Sequence, residues 1–197
     1  MAVFMMWLVP DGMEMTRSRA RNQITIRPIG IIRTPFANAS GTPIQSVFGG
    51  QFAGKVIVDD RYVAALEDVE GFERIWLIYW MDRADAFRSR VVPYLDQREH
   101  GLFATRSPCR PNPVGISVVR LISREGCILN VADMDILDGT PLLDIKPYVP
   151  DFDSHPKSKA GWFDESNHNC RMADGRFHKR KVRRRIARQT PQLGGPK

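Results

Sequence analysis

The stretch Thr105-Arg-Ser-Pro-Cys-Arg-Pro-Asn-Pro-Val-Gly115 carries three prolines within six residues. Each proline fixes its own φ and removes a backbone donor, and each pushes the residue before it into an extended conformation. A helix cannot run through such a segment, and a central strand cannot either. It reads as a stiff loop that displays Arg106 and Arg110 at set angles. The fold has to be built from the chain on either side of it.

Those flanking segments read mostly as strands. Ile24–Ile32 (ITIRPIGII) is rich in β-branched residues, and Gly54–Val58 is a short strand of the same kind. Glu73–Met81 is aromatic and continuously apolar, which predicts a buried strand. Gly101–Thr105 reads as a strand start. Val114–Ser123 and Cys127–Met134 read as two strands joined by a turn at Arg124-Glu-Gly126, and Pro141–Tyr148 as the last strand. Between them, Pro35–Gly54 is a loop rich in Pro, Gly, Asn and Ser, and 83–100 is a polar connection, expected to be partly helical. Asp59 or Asp60 is placed to cap a helix through Tyr62–Leu66 that ends near Gly71. The expected architecture is mainly β, a small β-barrel with one or two packed helices. No strand runs into Gly-x-Gly-x-x-Gly and a helix, so a Rossmann architecture is not expected.

Four groups of residues offer chemistry. The first is the proline-braced loop, whose arginines suit two-pronged binding of a carboxylate or phosphate; the same pattern also fits a rigid turn with an arginine bridging two loops. The second is Met134-Asp135-Ile-Leu-Asp138-Gly-Thr-Pro141, in which Asp-Gly-Thr-Pro is a tight turn that offers a carboxylate, a hydroxyl and backbone N–H groups at one point; such turns are common and usually structural. The third is Asp82-Arg83 at the end of the aromatic strand, either a surface ion pair of little energetic weight or the mouth of a pocket. The fourth is the aromatic set Trp76, Tyr79, Trp80, Phe103 and Tyr148, mostly core, of which one or two could stack on an unpaired base. His100, His155, His168 and His178 show no metal spacing, and no metal is expected.

Charge is unevenly placed. Residues 171–197 hold ten Lys or Arg and one acid, Asp174, a net of +9, whereas the other 170 residues are −2. The chain therefore divides into a leader over residues 1–22, read as disordered, a barrel domain over 23–168 and a basic tail over 169–197. Such a tail either attracts phosphates with strong salt dependence or serves as a solvated end. Cys109, Cys127 and Cys170 are odd in number and far apart, which argues against a disulfide framework and for a reducing cytoplasm. No apolar run is long enough to cross a bilayer. Met1–Val9 is short and has no basic residue before it, so a signal peptide is not expected.

Ile29-Gly-Ile-Ile-Arg-Thr-Pro-Phe36, Gly101-Leu-Phe-Ala-Thr-Arg-Ser107, Arg110-Pro-Asn-Pro-Val-Gly115 and Asp138-Gly-Thr-Pro-Leu-Leu-Asp-Ile-Lys-Pro-Tyr148 resemble the TsaA-like (TrmO) family, in that order, over about residues 24–165. The resemblance implies a β-barrel methyltransferase that works as a homodimer. It implies S-adenosylmethionine as methyl donor and tRNA as partner, with methylation at N6 of the threonylcarbamoyladenosine just 3′ of the anticodon. It places cofactor contacts on Arg110, on Asp138, Gly139, Thr140 and Pro141, on Asp82 and Arg83, on Leu121, and on Pro43, Ile44 and Gln45. The longer bacterial members continue into an extra C-terminal domain, for which the basic tail here is a candidate replacement.

A urea-like nitrogen attacking a sulfonium methyl gains from in-line positioning and from a carboxylate that takes the N–H proton. Asp138 is the first candidate for that base and Asp135 the second. Arg110 stays protonated and is expected to orient the cofactor or the threonyl carboxylate. The alternatives are the same barrel acting on another acceptor, and a non-catalytic RNA-binding or regulatory barrel.

Overall fold

The computed structural model describes residues 24–50, 52–166 and 169–178. Its centre is a closed barrel of six strands in the order β1-β2-β7-β6-β3-β8, every pair antiparallel. The strands are β1 (Gly30–Arg33), β2 (Gly54–Val58), β3 (Arg74–Trp80), β6 (Val114–Glu125), β7 (Ile128–Ala132) and β8 (Thr140–Pro147). A two-stranded ribbon, β4 (Arg90–Val91) with β5 (His100–Gly101), lies outside it. Closure leaves the barrel no free edge. The mainly β, non-Rossmann class read from the sequence is the class found.

The inward side chains alternate along each strand, as the pleat requires. Ile75, Leu77 and Tyr79 of β3 are buried with Ile32, Val56, Val119, Leu129, Val131 and Leu142. The outer residues Trp76, Ile78 and Trp80 are half-buried. The unbroken apolar run thus forms a strand with one fully buried face, because the outer face is covered only in part, Trp76 leaning on Tyr148 at 5.8 Å.

Three expectations are corrected. The first strand does not begin at Ile24: Ile24 and Ile26 are exposed, and pairing starts at Gly30. The physical reason is the lack of a partner, since β2 ends at Val58, opposite Gly30, and Pro28 has no N–H to donate. The helix expected after Asp59 is a 3₁₀ segment (Asp60–Leu66) followed by a second one (Val69–Gly71). Asp59 makes no capping bond because its carboxylate holds Arg61, and Asp68 at φ 64° breaks the helical path. Residues 83–100 contain no helix, only turns and β4. The one α-helix among the described residues is α1 (Pro150–Asp153). The leader call over 1–22 lies outside the described residues.

The ends of β1, β3 and β7 and the starts of β2, β6 and β8 lie toward one mouth of the barrel. The chain leaves β7 through Asp133 (φ 66°) and enters β8 through Gly139 (φ 76°), both left-handed. Left-handed turns are open to Asp and Gly at low steric cost, and they swing Asp135–Leu137 into the cavity wall at this mouth. The segment Cys170–His178, assigned from the sequence to the tail, returns to the same end. Ala173 exchanges backbone bonds with Gly41 and Thr42, Ile44 N–H donates to Arg171 O, and His178 bridges to Ala84. Phe177 is buried with Val91, Leu102 and Cys109.

Candidate functional site

A cavity of about 290 Å³ opens at this mouth. Its walls come from five separate segments, and their placement follows from local sequence. Gly115 on β6 faces Tyr79 on β3; a Cβ there would lie 2.1 Å from the ring, so only glycine lets the ring cross into the barrel. The ring's hydroxyl then meets Ser117 Oγ at 3.0 Å. Burial pushes the Tyr79 hydroxyl well above its ordinary pKa, and the Asp135 charge adds to that, so it stays a neutral hydrogen-bonding group.

Asp135 lies beside this pair. Its Oδ1 is fully enclosed and has no hydrogen-bond partner among the described residues. Burial raises its pKa from 3.8 to about 6, against the opposing pull of Ser117, of backbone N–H groups and of the Arg106 charge. A carboxyl with a pKa near 6 is ionised at neutral pH yet basic enough to take a proton.

Arg83 ties the end of β3 to the start of β8: Nη2 donates to Thr140 Oγ1 at 2.9 Å, and Nε to Asp82 Oδ1 at 3.3 Å. Thr140 in turn donates to Leu137 O at 2.7 Å. Arg110 lines the cavity, but its Nη1 staples its own loop through Thr105 O (2.9 Å) and Ser107 O (3.5 Å). The same side chain thus braces its own loop and forms part of the cavity wall. Cys109 in that loop is fully buried against Phe177, which makes it a packing residue. From the early loop, Gln45 Oε1 accepts a short hydrogen bond from Arg106 Nη1.

Of the residues proposed from the sequence, Pro43, Ile44, Gln45, Asp82, Arg83, Arg110, Asp135 and Thr140 share this one cavity. Asp138, Gly139 and Pro141 stand behind its wall. The Asp138 carboxylate accepts from Thr34 N–H (3.1 Å) and Arg33 Nη1 (3.4 Å); the Asp138 and Gly139 N–H groups donate to Phe36 O and Ile32 O, and Pro141 pairs with Ile31. Leu121 packs against the barrel core, six residues from Gly115 along β6, about 20 Å by strand rise. The cavity also recruits Arg106 of the proline-braced loop and Tyr79 of the aromatic set, together with Ala173 and His178, which no motif announced. His178 Nδ1 is enclosed and unpartnered among the described residues, and burial with the neighbouring Arg83 charge lowers its pKa, which keeps the ring neutral. Nothing in the sequence around His178 signals this role, because its neighbours in space lie about a hundred residues away. No group of three or more metal-ligating side chains occurs among the described residues, and no helix among them is long and apolar enough to cross a membrane.

Comparison with known proteins supplies the relatives. The tRNA-methyltransferase O N-terminal domain matches residues 31–154. A probable S-adenosyl-L-methionine-binding protein of Pyrococcus abyssi is 49% identical over 78% of this chain and 85% of its own length. The tRNA (adenine(37)-N6)-methyltransferase of Escherichia coli is 32% identical over 68% of this chain and 61% of its own. The crystal structure of TrmO from Pseudomonas aeruginosa superposes with a TM-score of 0.63 at 35% identity, covering 73% of this chain and 64% of that one. The chain thus spans somewhat less than two thirds of those two longer enzymes. With the closed barrel, its mouth cavity and these matches together, the chain belongs to the TrmO family.

Proposed function

We propose that this chain is an S-adenosylmethionine-dependent methyltransferase that adds a methyl group to N6 of adenosine 37 in tRNA, with the threonylcarbamoyl form of that adenosine as acceptor. Support comes from the names of its relatives, methyltransferases of tRNA adenine and S-adenosylmethionine-binding proteins, and from the cavity itself. The observation that carries the reading is Asp135, a buried carboxylate with an unpartnered oxygen on the wall of a polar-and-apolar cavity.

The residues fit the cofactor. Ile44, Met81, Ile136 and Leu137 offer apolar wall for a flat base, while Gln45, Asp82, Arg83, Thr140 and His178 offer hydrogen bonds for ribose and amino-acid groups. A buried carboxylate suits a neighbouring cation, which would stabilise its charged form. When bound, S-adenosylmethionine supplies an electrophilic methyl on a sulfonium, which leaves as a neutral thioether. Asp135 accepts the N–H proton of the attacking nitrogen as the new N–C bond forms. This assigns the base to Asp135 and gives Asp138 a structural task, holding β1 through Thr34 and Arg33. Arg110 and Arg83 orient groups and hold the walls. Alignment by such walls accounts for much of the rate of a displacement reaction. The homodimer implied by the resemblance and the cytoplasmic setting read from the cysteines belong to the same reading.

The test is methylation by purified chain of two tRNA pools, with and without threonylcarbamoyladenosine, followed by mass spectrometry of nucleosides. The expected result is an added methyl on the modified nucleoside alone. Methylation of both pools alike, or of neither while S-adenosylmethionine binds, would reassign the acceptor.

A further inference from the structure

A second cavity of about 680 Å³ adjoins the first. The two share Ile44, Gln45, Tyr94, Thr105, Arg106 and Pro108, so the short Gln45–Arg106 hydrogen bond stands on the partition between them. The second cavity is the more aromatic of the two. Phe103 is 77% exposed at its rim, and Phe163 and Trp162 face it from the segment Gly161–Glu165. Trp162 is held in place: its Nε1 donates to Ala104 O at 2.7 Å, and its ring stacks on His100 at 4.6 Å. His100 is itself bound to Asp96 at 2.8 Å. Arg110 lies over the Phe103 ring at 5.5 Å and Arg171 over Phe48 at 5.9 Å. Not one acidic side chain lines this cavity among the described residues.

Aromatic faces flanked by arginines, with no acid, are the chemistry that receives an unstacked base on a phosphate strand. The volume lies within the range of small-molecule sites, enough for one extruded nucleoside and too small for a helix, so the base has to leave its stack. We propose that this second cavity takes one unstacked nucleobase of the RNA acceptor, stacked on Phe103, and presents it to the methyl-donor cavity past Gln45 and Arg106. The inference rests on the methyltransferase reading above and adds the acceptor's place to it. An anionic substituent on that base would compete with Gln45 for the Arg106 guanidinium.

The test uses the full chain with Phe103→Ala and Phe103→Trp, both at an exposed position, and Ile122→Ala as an exposed apolar control on β6. An anticodon stem-loop RNA with 2-aminopurine at position 37 reports stacking by fluorescence quenching, and its affinity is read by anisotropy. S-adenosylmethionine affinity is read by calorimetry, and mass by sedimentation. Phe103→Ala should lose about 5- to 150-fold in RNA affinity, the range spanned by one base–aromatic stack, and should abolish quenching. Phe103→Trp should restore both, and Ile122→Ala should change neither. Cofactor affinity and sedimenting mass should stay unchanged throughout. Unaltered RNA affinity and quenching in Phe103→Ala would overturn the proposal. A drop in sedimenting mass that accounts for the loss would also overturn it, by making this face a contact between two copies of the chain. Failure of the parent to bind S-adenosylmethionine while quenching persists would refute the methyltransferase reading and leave the base site standing.

Discussion

Replacing Asp135 with asparagine should make the protein more stable and less active at the same time. The carboxyl's pKa is raised in the folded state, from 3.8 to about 6, chiefly by burial. Folding therefore binds a proton more tightly. This group's contribution to stability is fully present below pH 4 and is lost as pH rises through about 6. Each pKa unit corresponds to 1.36 kcal/mol, so above pH 7 the ionised carboxylate costs the fold about 3 kcal/mol. Asparagine keeps the shape without that cost. Asp135→Asn should gain up to about 3 kcal/mol at pH 8, a rise in Tm of about 6–12 °C for a chain of this size. The gain should shrink to about 1 kcal/mol at pH 4.5. Thermal unfolding of parent and variant across this pH range checks the sign and the slope, and methylation assays should show the variant's activity lost. Stability held in reserve at an active site is a common cost of function. A variant no more stable than the parent at pH 8, or a gain that does not vary with pH, would refute the reasoning. Asp138→Ala supplies the contrast: it leaves the Thr34 N–H without its partner and should lose about 1–3 kcal/mol.

Gly115→Ala should cost about 1–3 kcal/mol by forcing a methyl into the Tyr79 ring, measured by denaturant unfolding; Tyr79→Leu in the same chain should recover part of that loss. Phe177→Ala removes the buried anchor of the segment Cys170–His178 and should cost about 3–5 kcal/mol at that contact. Hydrogen exchange should then rise across 170–178, and S-adenosylmethionine affinity should fall, because Ala173 and His178 line the cavity. Deleting residues 179–197, which removes eight Lys or Arg and no acid, should weaken tRNA binding and flatten its dependence on salt. Because the docked segment is retained, cofactor affinity should not change.

Much of the barrel was legible because strand formation leaves a local trace. Gly54–Val58, Glu73–Met81, Val114–Ser123, Cys127–Met134 and Pro141–Tyr148 all fall on barrel strands within a few residues. The misreading at Ile24–Ile32 has a non-local cause: β propensity is present there, but the partner strand ends at Val58. The 3₁₀ turns after Asp59 differ from the expected helix for a local reason, since the Asp59 carboxylate holds Arg61 and not a backbone N–H.

The sequence by itself determined a stiff arginine loop, a tight Asp-Gly turn and a set of strands, all consequences of what proline, glycine and β-branched residues allow over a few positions. Only the tertiary structure decided which carboxylate is buried. Asp135 and Asp138 lie three residues apart in one turn. One is buried at the cavity wall beside Tyr79 and Ser117, and the other turns outward to Thr34 and Arg33. A carboxyl's proton affinity depends on the solvent and charges around it, and those are assembled here from Arg33 and Thr34, Ser46, Tyr79, Arg106 and Ser117, which come from five separate stretches of the chain.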